Sequence, residues 1–211
     1  MPGIGGNNIQ EFQARIARFD QAYVVDWNTW LGTAAINRPH QLGVVLRKWQ
    51  ACRPNRMRRT QSVGGHNPPY LEHLVAQSVP YIQALQTFDI RLAASFSQQA
   101  CAALRALWEI FEQLSFQGRA RSGLAGVVGI SKAVLLLSDG GVGPAFDSQV
   151  RGHLNIATIN SANTWIEALR VANQDIHTFE VAQATTLQHA APNYAHLQSG
   201  RIYDMALGPG E

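Results

Sequence analysis

Apolar side chains recur at helical spacing along most of this chain of 211 residues. Near the start, Ile9, Phe12, Ile16 and Phe19 follow one another at intervals of three and four residues, as on the buried face of an amphipathic helix. The most extended pattern of this kind predicts a long helix at about residues 97–115, with a broad apolar face. These two patterns indicate a fold built from helices.

Other stretches repeat the pattern over shorter lengths. They predict helices at about 42–49, from 70, at 80–88, at 130–138, from 147, at 161–172 and 176–187, and one short helix after 199. Residues 23–40 are aromatic but poorly periodic, so we expect irregular structure there with at most a short helix. No alternating strand pattern with paired turns occurs. We predict an all-α, compact helical domain over residues 1–211, with two lobes at about 1–95 and 96–211 as the alternative.

The positive charge of the chain comes almost wholly from arginine. The net charge is +3, and fifteen arginines accompany only two lysines, Lys48 and Lys132. A guanidinium binds phosphate through two parallel hydrogen bonds and stacks on nucleobases, so this bias suits contacts with nucleic acid. A GC-rich genome produces the same bias, and composition leaves both explanations open.

Six positive charges lie within thirteen residues that contain no acid, and we call this stretch the basic segment. Its charged residues are Arg47, Lys48, Arg53, Arg56, Arg58 and Arg59. Like charges at this density repel one another unless a polyanion neutralises them. The segment therefore favours phosphate binding, and a solvated basic loop is the alternative.

Several classes of protein do not fit the sequence. No apolar run reaches 18 residues and the start lacks the pattern of a leader, so we expect a cytoplasmic protein without a membrane span. Cys52 and Cys101 lie far apart in the sequence, and we expect them to be free, buried thiols. His66 and His73 have no standard ligand spacing and no companion carboxylate or cysteine. We predict no metal site and no cofactor.

A glycine-punctuated stretch from residue 123 to 154 carries the clearest motif. Its sequence, GLAGVVGISKAVLLLSDGGVGPAFDSQVRGHL, predicts a helix end, a hairpin turn, an apolar helix, a glycine-rich loop and a helix that begins at Asp147. The order and spacing of these residues resemble the helix-hairpin-helix DNA glycosylase superfamily. The counterparts of that motif are Leu124, Ala125, Gly126, Val127, Gly129, Ser131, Lys132, Ala133 and Asp147.

The resemblance implies a role for each part of the motif. Backbone amides around Gly126, Val127 and Gly129 would hold a DNA phosphate without reading sequence. Ser131, which the motif also makes a DNA contact, occupies the position at which strand-cleaving members carry a Schiff-base lysine, which implies base release without strand cleavage. Lys132, one residue further along the helix, would point about 100° away from that position, toward phosphate or solvent.

Asp147 is the predicted catalytic residue. A carboxylate near C1′ of a nucleoside can stabilise the positive charge of an oxocarbenium-like sugar and can orient or deprotonate water. Aspartate is also a preferred helix N-cap, so a purely structural role is the alternative. The two roles are compatible.

Together these observations predict a DNA-binding protein with a helix-hairpin-helix-like motif. Its predicted activity is that of a monofunctional DNA glycosylase that hydrolyses the N-glycosidic bond of a modified or damaged base. One alternative is a non-catalytic module that binds the DNA backbone with the same residues. The other is a protein-interaction or defence component that retains the fold without the reaction.

Overall fold

The computed structural model describes residues 3–51, 71–114 and 124–208, and within these ranges the regular structure is helical. The α-helices there are α1 (Ile9–Ala17), α2 (Gln21–Leu31), α3 (Arg38–Lys48), α4 (Leu71–Ala84), α5 (Gln98–Phe111), α6 (Val127–Leu137), α7 (Ser148–His153), α8 (Ala162–Gln183), α9 (Leu187–Ala190) and α10 (Ser199–Leu207). The predicted all-α fold is confirmed. In the described part of the chain, no helix is both long and apolar enough to cross a bilayer.

One hydrophobic core joins the two ends of the described chain, since Ile4 and Leu207 are both fully buried in it. A carboxylate in α8 reinforces this contact. Asp175 accepts hydrogen bonds from the backbone amides of Ile4 at 2.7 Å and Gly5 at 2.9 Å. It also accepts a hydrogen bond from the phenol of Tyr203, in α10, at 2.7 Å. The start of the chain is therefore fixed to α8 and α10 by one side chain.

Residues 23–40, which we expected to be irregular, are mostly helical. Asp20 caps α2 by accepting the amide of Ala22 at 2.8 Å. The buried face of α2 contains only three residues, of which one is Asp26, so the sequence shows no clear apolar period. Trp27 and Trp30 lie in the core.

Two helices continue through positions at which we predicted a break. Pro80 lies inside α4, where it removes one backbone hydrogen bond, and packing of this helix along α5 compensates for the loss. α8 is one helix of 22 residues rather than two. No glycine or proline interrupts it, and Asn173 in its middle donates to the carbonyl of Ile90 at 2.7 Å. Tertiary contacts thus extend both helices beyond their local patterns.

The glycine-rich loop between α6 and α7 packs against the start of α10 too closely for side chains. A Cβ at Gly200 would lie 2.6 Å from the carbonyl oxygen of Gly140 and 2.8 Å from the amide nitrogen of Gly143. Gly140 also has a φ of +90°, which side chains rarely adopt. These glycines therefore serve backbone packing, and this packing fixes the loop that leads to Asp147.

We predict that Gly200→Ala lowers the free energy of unfolding by about 1–3 kcal/mol, because the added methyl group overpacks a contact between two backbones. Gly152, in α7, has no atom within 4 Å of its Cβ position and provides the matched control. Gly152→Ala should be neutral or stabilise by about 0.5–1 kcal/mol. Urea unfolding measures both changes, and equal effects of the two variants would contradict this packing.

Candidate functional site around Asp147

The predicted phosphate-binding turn is the first turn of α6 in the structure. Gly126 is the exposed N-cap of this helix, while Val127 and Gly129 already lie inside it, because α6 begins three residues before its predicted start. Among the described residues, no side chain caps this end. Residues 115–123, which would form the preceding arm of a hairpin, lie outside the described residues. The helix-hairpin-helix arrangement therefore stays a prediction.

Ser131 is a buried link between α6 and the glycine-rich loop. Ser131 is 1% exposed, and its hydroxyl donates a hydrogen bond to the carbonyl oxygen of Val127 at 2.7 Å. The same oxygen accepts the amide of Phe146 at 2.9 Å. We predicted that Ser131 contacts DNA, but the core covers this side of α6 and gives the hydroxyl two partners within the protein.

Lys132 is also buried, with only 4% of its surface exposed. Its ammonium group donates to the carbonyl of Trp49 at 3.1 Å and lies 5.3 Å from the ring centre of Tyr23. We predicted that Lys132 points toward phosphate or solvent. It points instead into the contact between α6 and the end of α3, where a carbonyl and aromatic ring faces replace its hydration.

Asp147 begins α7, as the sequence predicts. Its Oδ1 accepts the backbone amides of Gln149 and Val150, each at 3.0 Å, so it caps the helix with two hydrogen bonds. The residue is half-buried. The N-terminal end of a helix carries partial positive charge, which interacts favourably with an acidic cap.

Tyr23, in α2, lies close to several of these groups. Its ring stacks on Trp49 with ring centres 5.2 Å apart. Burial raises the pKa of its phenol, and the negative charge of Asp147 is the next largest cause. Three other carboxylates raise this pKa further: Asp20, Asp204 and Asp26. The half-buried phenol therefore lies within electrostatic reach of Asp147 on one side and near the ammonium of Lys132 on another.

Of the six charged residues of the basic segment, only two lie within the described part of the chain. Arg47 is exposed at the end of α3. The ammonium of Lys48 forms an ion pair with Oδ1 of Asp26 at 2.7 Å, although no acid is near it in sequence. Arg53, Arg56, Arg58 and Arg59 lie outside the described residues. Their phosphate-binding role stays a prediction.

A buried ion pair that the sequence does not predict lies beneath Asp147. Arg201 and Asp204, in α10, are 1% and 6% exposed, and their charged groups meet at 2.6 Å. Burial raises the pKa of Asp204, and the Arg201 charge opposes this change. Their spacing of three residues does indicate a helical pair. It gives no sign of burial, because exposed helices carry the same pattern.

Neither of two surface cavities includes a residue that we predicted to bind or react. One, of about 390 Å³, lies between α1 and residues 191–194, and the other, of about 260 Å³, lies beside the start of α5. No group of three or more potential metal ligands occurs among the described residues. The candidate site is therefore defined by the surroundings of Asp147.

His153, at the end of α7, can report the position of the Asp147 carboxylate. Burial lowers the pKa of His153 below 6.5, the charge of Arg15 lowers it further, and Asp147 raises it. The stability contributed by the neutral imidazole is therefore present above pH 6.5 and is lost as the pH falls through the lower pKa of the folded state.

We predict that Asp147→Asn lowers the pKa of His153 further, because the variant removes the one charge that favours imidazolium. An NMR titration of the His153 ring measures this change. Asp20→Asn is the matched control, since Asp20 is the N-cap of a different helix, α2. An unchanged His153 pKa in Asp147→Asn would show that the carboxylate lies elsewhere.

Comparison of the chain with protein-family models, with curated proteins and with solved structures finds no match in any of the three.

Proposed function

We propose that this chain binds duplex DNA through the phosphate backbone and hydrolyses the N-glycosidic bond of a modified or damaged base, with Asp147 as the catalytic carboxylate. The observation that carries the proposal is the way in which Asp147 uses its two oxygens. Both capping hydrogen bonds are accepted by Oδ1. Among the described residues, Oδ2 has no hydrogen-bond partner, so one oxygen fixes the side chain and the other can face a sugar.

This arrangement suits the charge that develops during base release. As the glycosidic bond breaks, positive charge accumulates on the sugar, and a fixed carboxylate stabilises it without having to reorganise. The same oxygen can then orient water or take its proton. A carboxylate that is half-buried and held by two amides meets both requirements better than a freely rotating one.

DNA binding in this proposal relies on two groups of donors. The exposed N-terminal end of α6 at Gly126 offers backbone amides, and helix ends of this kind favour anions. The basic segment starts at the exposed Arg47 and supplies further positive charge. Trp49 lies within this segment, and its ring stacks on that of Tyr23, whose phenol pKa is raised in part by the negative charge of Asp147.

A non-catalytic module that binds DNA or protein is the second candidate function. The observation that favours its protein-binding form is the burial of Ser131 and Lys132, since two of the predicted DNA contacts lie inside the protein. The capping role of Asp147 by itself also explains the presence of that residue. The two candidates differ in whether a modified base is released, and that reaction can be measured.

We predict sequence-independent duplex binding that weakens as salt rises. Each phosphate neutralised by the protein contributes about 0.9 to the slope of log K against log salt. Changing Arg56, Arg58 and Arg59 to Ala should therefore reduce the slope by about 2 to 3. Fluorescence anisotropy with a labelled duplex at several salt concentrations measures the slope.

The matched control changes three exposed arginines elsewhere, Arg18, Arg105 and Arg170, to Ala. This variant has the same net charge as the first, so a general loss of charge would affect both equally. The slope should change little in the control. If both triple variants show the same slope, the basic segment is a solvated loop rather than a phosphate-binding element.

We predict that the protein releases the correct modified base and leaves an abasic site, with strand cleavage only after alkali. Asp147→Asn should reduce release roughly 100- to 10,000-fold, because it removes the charge that acts on the sugar and water. Asparagine still caps a helix, so the stability cost should be a few tenths of a kcal/mol, whereas Asp147→Ala should cost about 1 kcal/mol. A panel of duplexes with single modified bases measures release.

Asp20→Asn provides the control for this experiment, since Asp20 is also an N-cap aspartate that acts on Tyr23. It should retain base release. Full activity in Asp147→Asn would exclude the catalytic role of this carboxylate. Borohydride trapping of the protein through Lys132 would indicate a Schiff-base reaction instead of simple hydrolysis. A wild-type protein that releases no base from any duplex of the panel would favour the non-catalytic module.

A further inference from the structure

Two buried side chains hold the backbone directly before Asp147. Oδ1 of Asp204 accepts the amide of Ala145 at 2.9 Å, and the hydroxyl of Ser131 accepts the amide of Phe146 at 2.9 Å. Asp204 comes from α10 and Ser131 from α6. Two successive residues of the loop are therefore fixed from two different helices, immediately before the residue that caps α7.

Asp204 is itself held in place. Its Oδ2 pairs with the guanidinium of Arg201 at 2.6 Å. That guanidinium lies 4.5 Å from the ring centre of Trp27 and 5.0 Å from that of Phe19, so its faces are covered by aromatic rings. One oxygen of Asp204 is thus used to fix the carboxylate, and the other is used to fix the loop.

The ion pair by itself does not explain why this position is charged. Desolvation of two buried charges offsets much of their attraction, and well-packed apolar residues in their place are often as stable. Apolar residues would, however, leave the amide of Ala145 without an acceptor, and an unsatisfied buried amide costs about 1–3 kcal/mol. The specific contribution of Asp204 is therefore the hydrogen bond to the loop.

We propose that Asp204, held by Arg201, and Ser131 are positioning residues for Asp147. By fixing the amides of Ala145 and Phe146, they set the place and direction from which the Asp147 carboxylate faces its substrate. The catalytic meaning of this role rests on the proposed function, whereas the geometric role does not. A displacement of about 1 Å in a reacting group can cost about 100-fold in rate, so fixing the loop has a measurable consequence.

Two double variants separate the hydrogen bond from the charge. Arg201→Met with Asp204→Asn removes both charges and retains an oxygen acceptor for Ala145. Arg201→Met with Asp204→Leu removes both charges and the acceptor, with a side chain of similar size. Both proteins lack the two charges, and only the Asn variant keeps an acceptor for Ala145, so the comparison tests the hydrogen bond to the loop.

The first readout is independent of catalysis. Burial and the charge of Arg15 lower the pKa of His153 and the charge of Asp147 raises it, so a displacement of the Asp147 carboxylate should change this pKa. In the Leu double variant we expect this pKa to shift toward its value in Asp147→Asn, with faster hydrogen exchange at the Ala145 amide. In the Asn double variant both should stay close to wild type. Identical results in the two double variants would overturn the proposal.

The second readout is base release, which applies when the wild-type protein is active. The Leu double variant should lose about 100-fold in kcat, and the Asn double variant should recover most of it. The salt dependence of duplex binding should be the same in both. If the wild-type protein is inactive, the proposed function fails while the His153 titration still decides the positioning role. If base release is equal in the two double variants, the positioning role fails.

A single substitution covers the case in which the Leu double variant does not fold. Ser131→Ala removes the acceptor of Phe146 and leaves the ion pair intact. It should shift the His153 pKa in the same direction as the Leu double variant and lower kcat, with duplex affinity unchanged. A His153 pKa and a kcat equal to those of wild type would overturn the proposal for this side chain.

Discussion

The buried ion pair between Arg201 and Asp204 is the interaction on which the proposed site depends. It places a carboxylate inside the protein, where an acceptor for the loop amide of Ala145 would otherwise be missing. Isolated buried charges are unfavourable, so this carboxylate is tolerable only with its guanidinium partner and that amide. The hydrogen bond to Ala145 requires the loop to lie close to α10. Glycine allows this approach, because a side chain at Gly200 would displace the loop backbone.

Asp147 shows how a structural and a chemical role can coexist in one side chain. Oδ1 accepts the two capping hydrogen bonds, and these bonds orient the whole carboxylate. A helix end also stabilises negative charge, which suits a group that would act as an anion. The stability of α7 and the direction of the candidate catalytic group therefore depend on the same two hydrogen bonds.

Lys132 has a different role from the one that its sequence position implies. Its ammonium joins α6 to the end of α3 through the carbonyl of Trp49, and Tyr23 packs against the same group. A lysine is suited to this place because its long apolar stem can be buried while its charge finds a carbonyl and ring faces. The contact also holds the start of the basic segment against α6.

The sequence by itself determined the helical class, the long helix at α5 and the helix that begins at Asp147. These features depend on local spacing and on capping chemistry, which are complete within a few residues. Only the tertiary structure decided that Ser131 and Lys132 are buried and that α2 is a helix. It also decided that Arg201 and Asp204 form a buried pair. Burial depends on which other segments cover a helix face, and a residue's own neighbours in sequence do not contain that information.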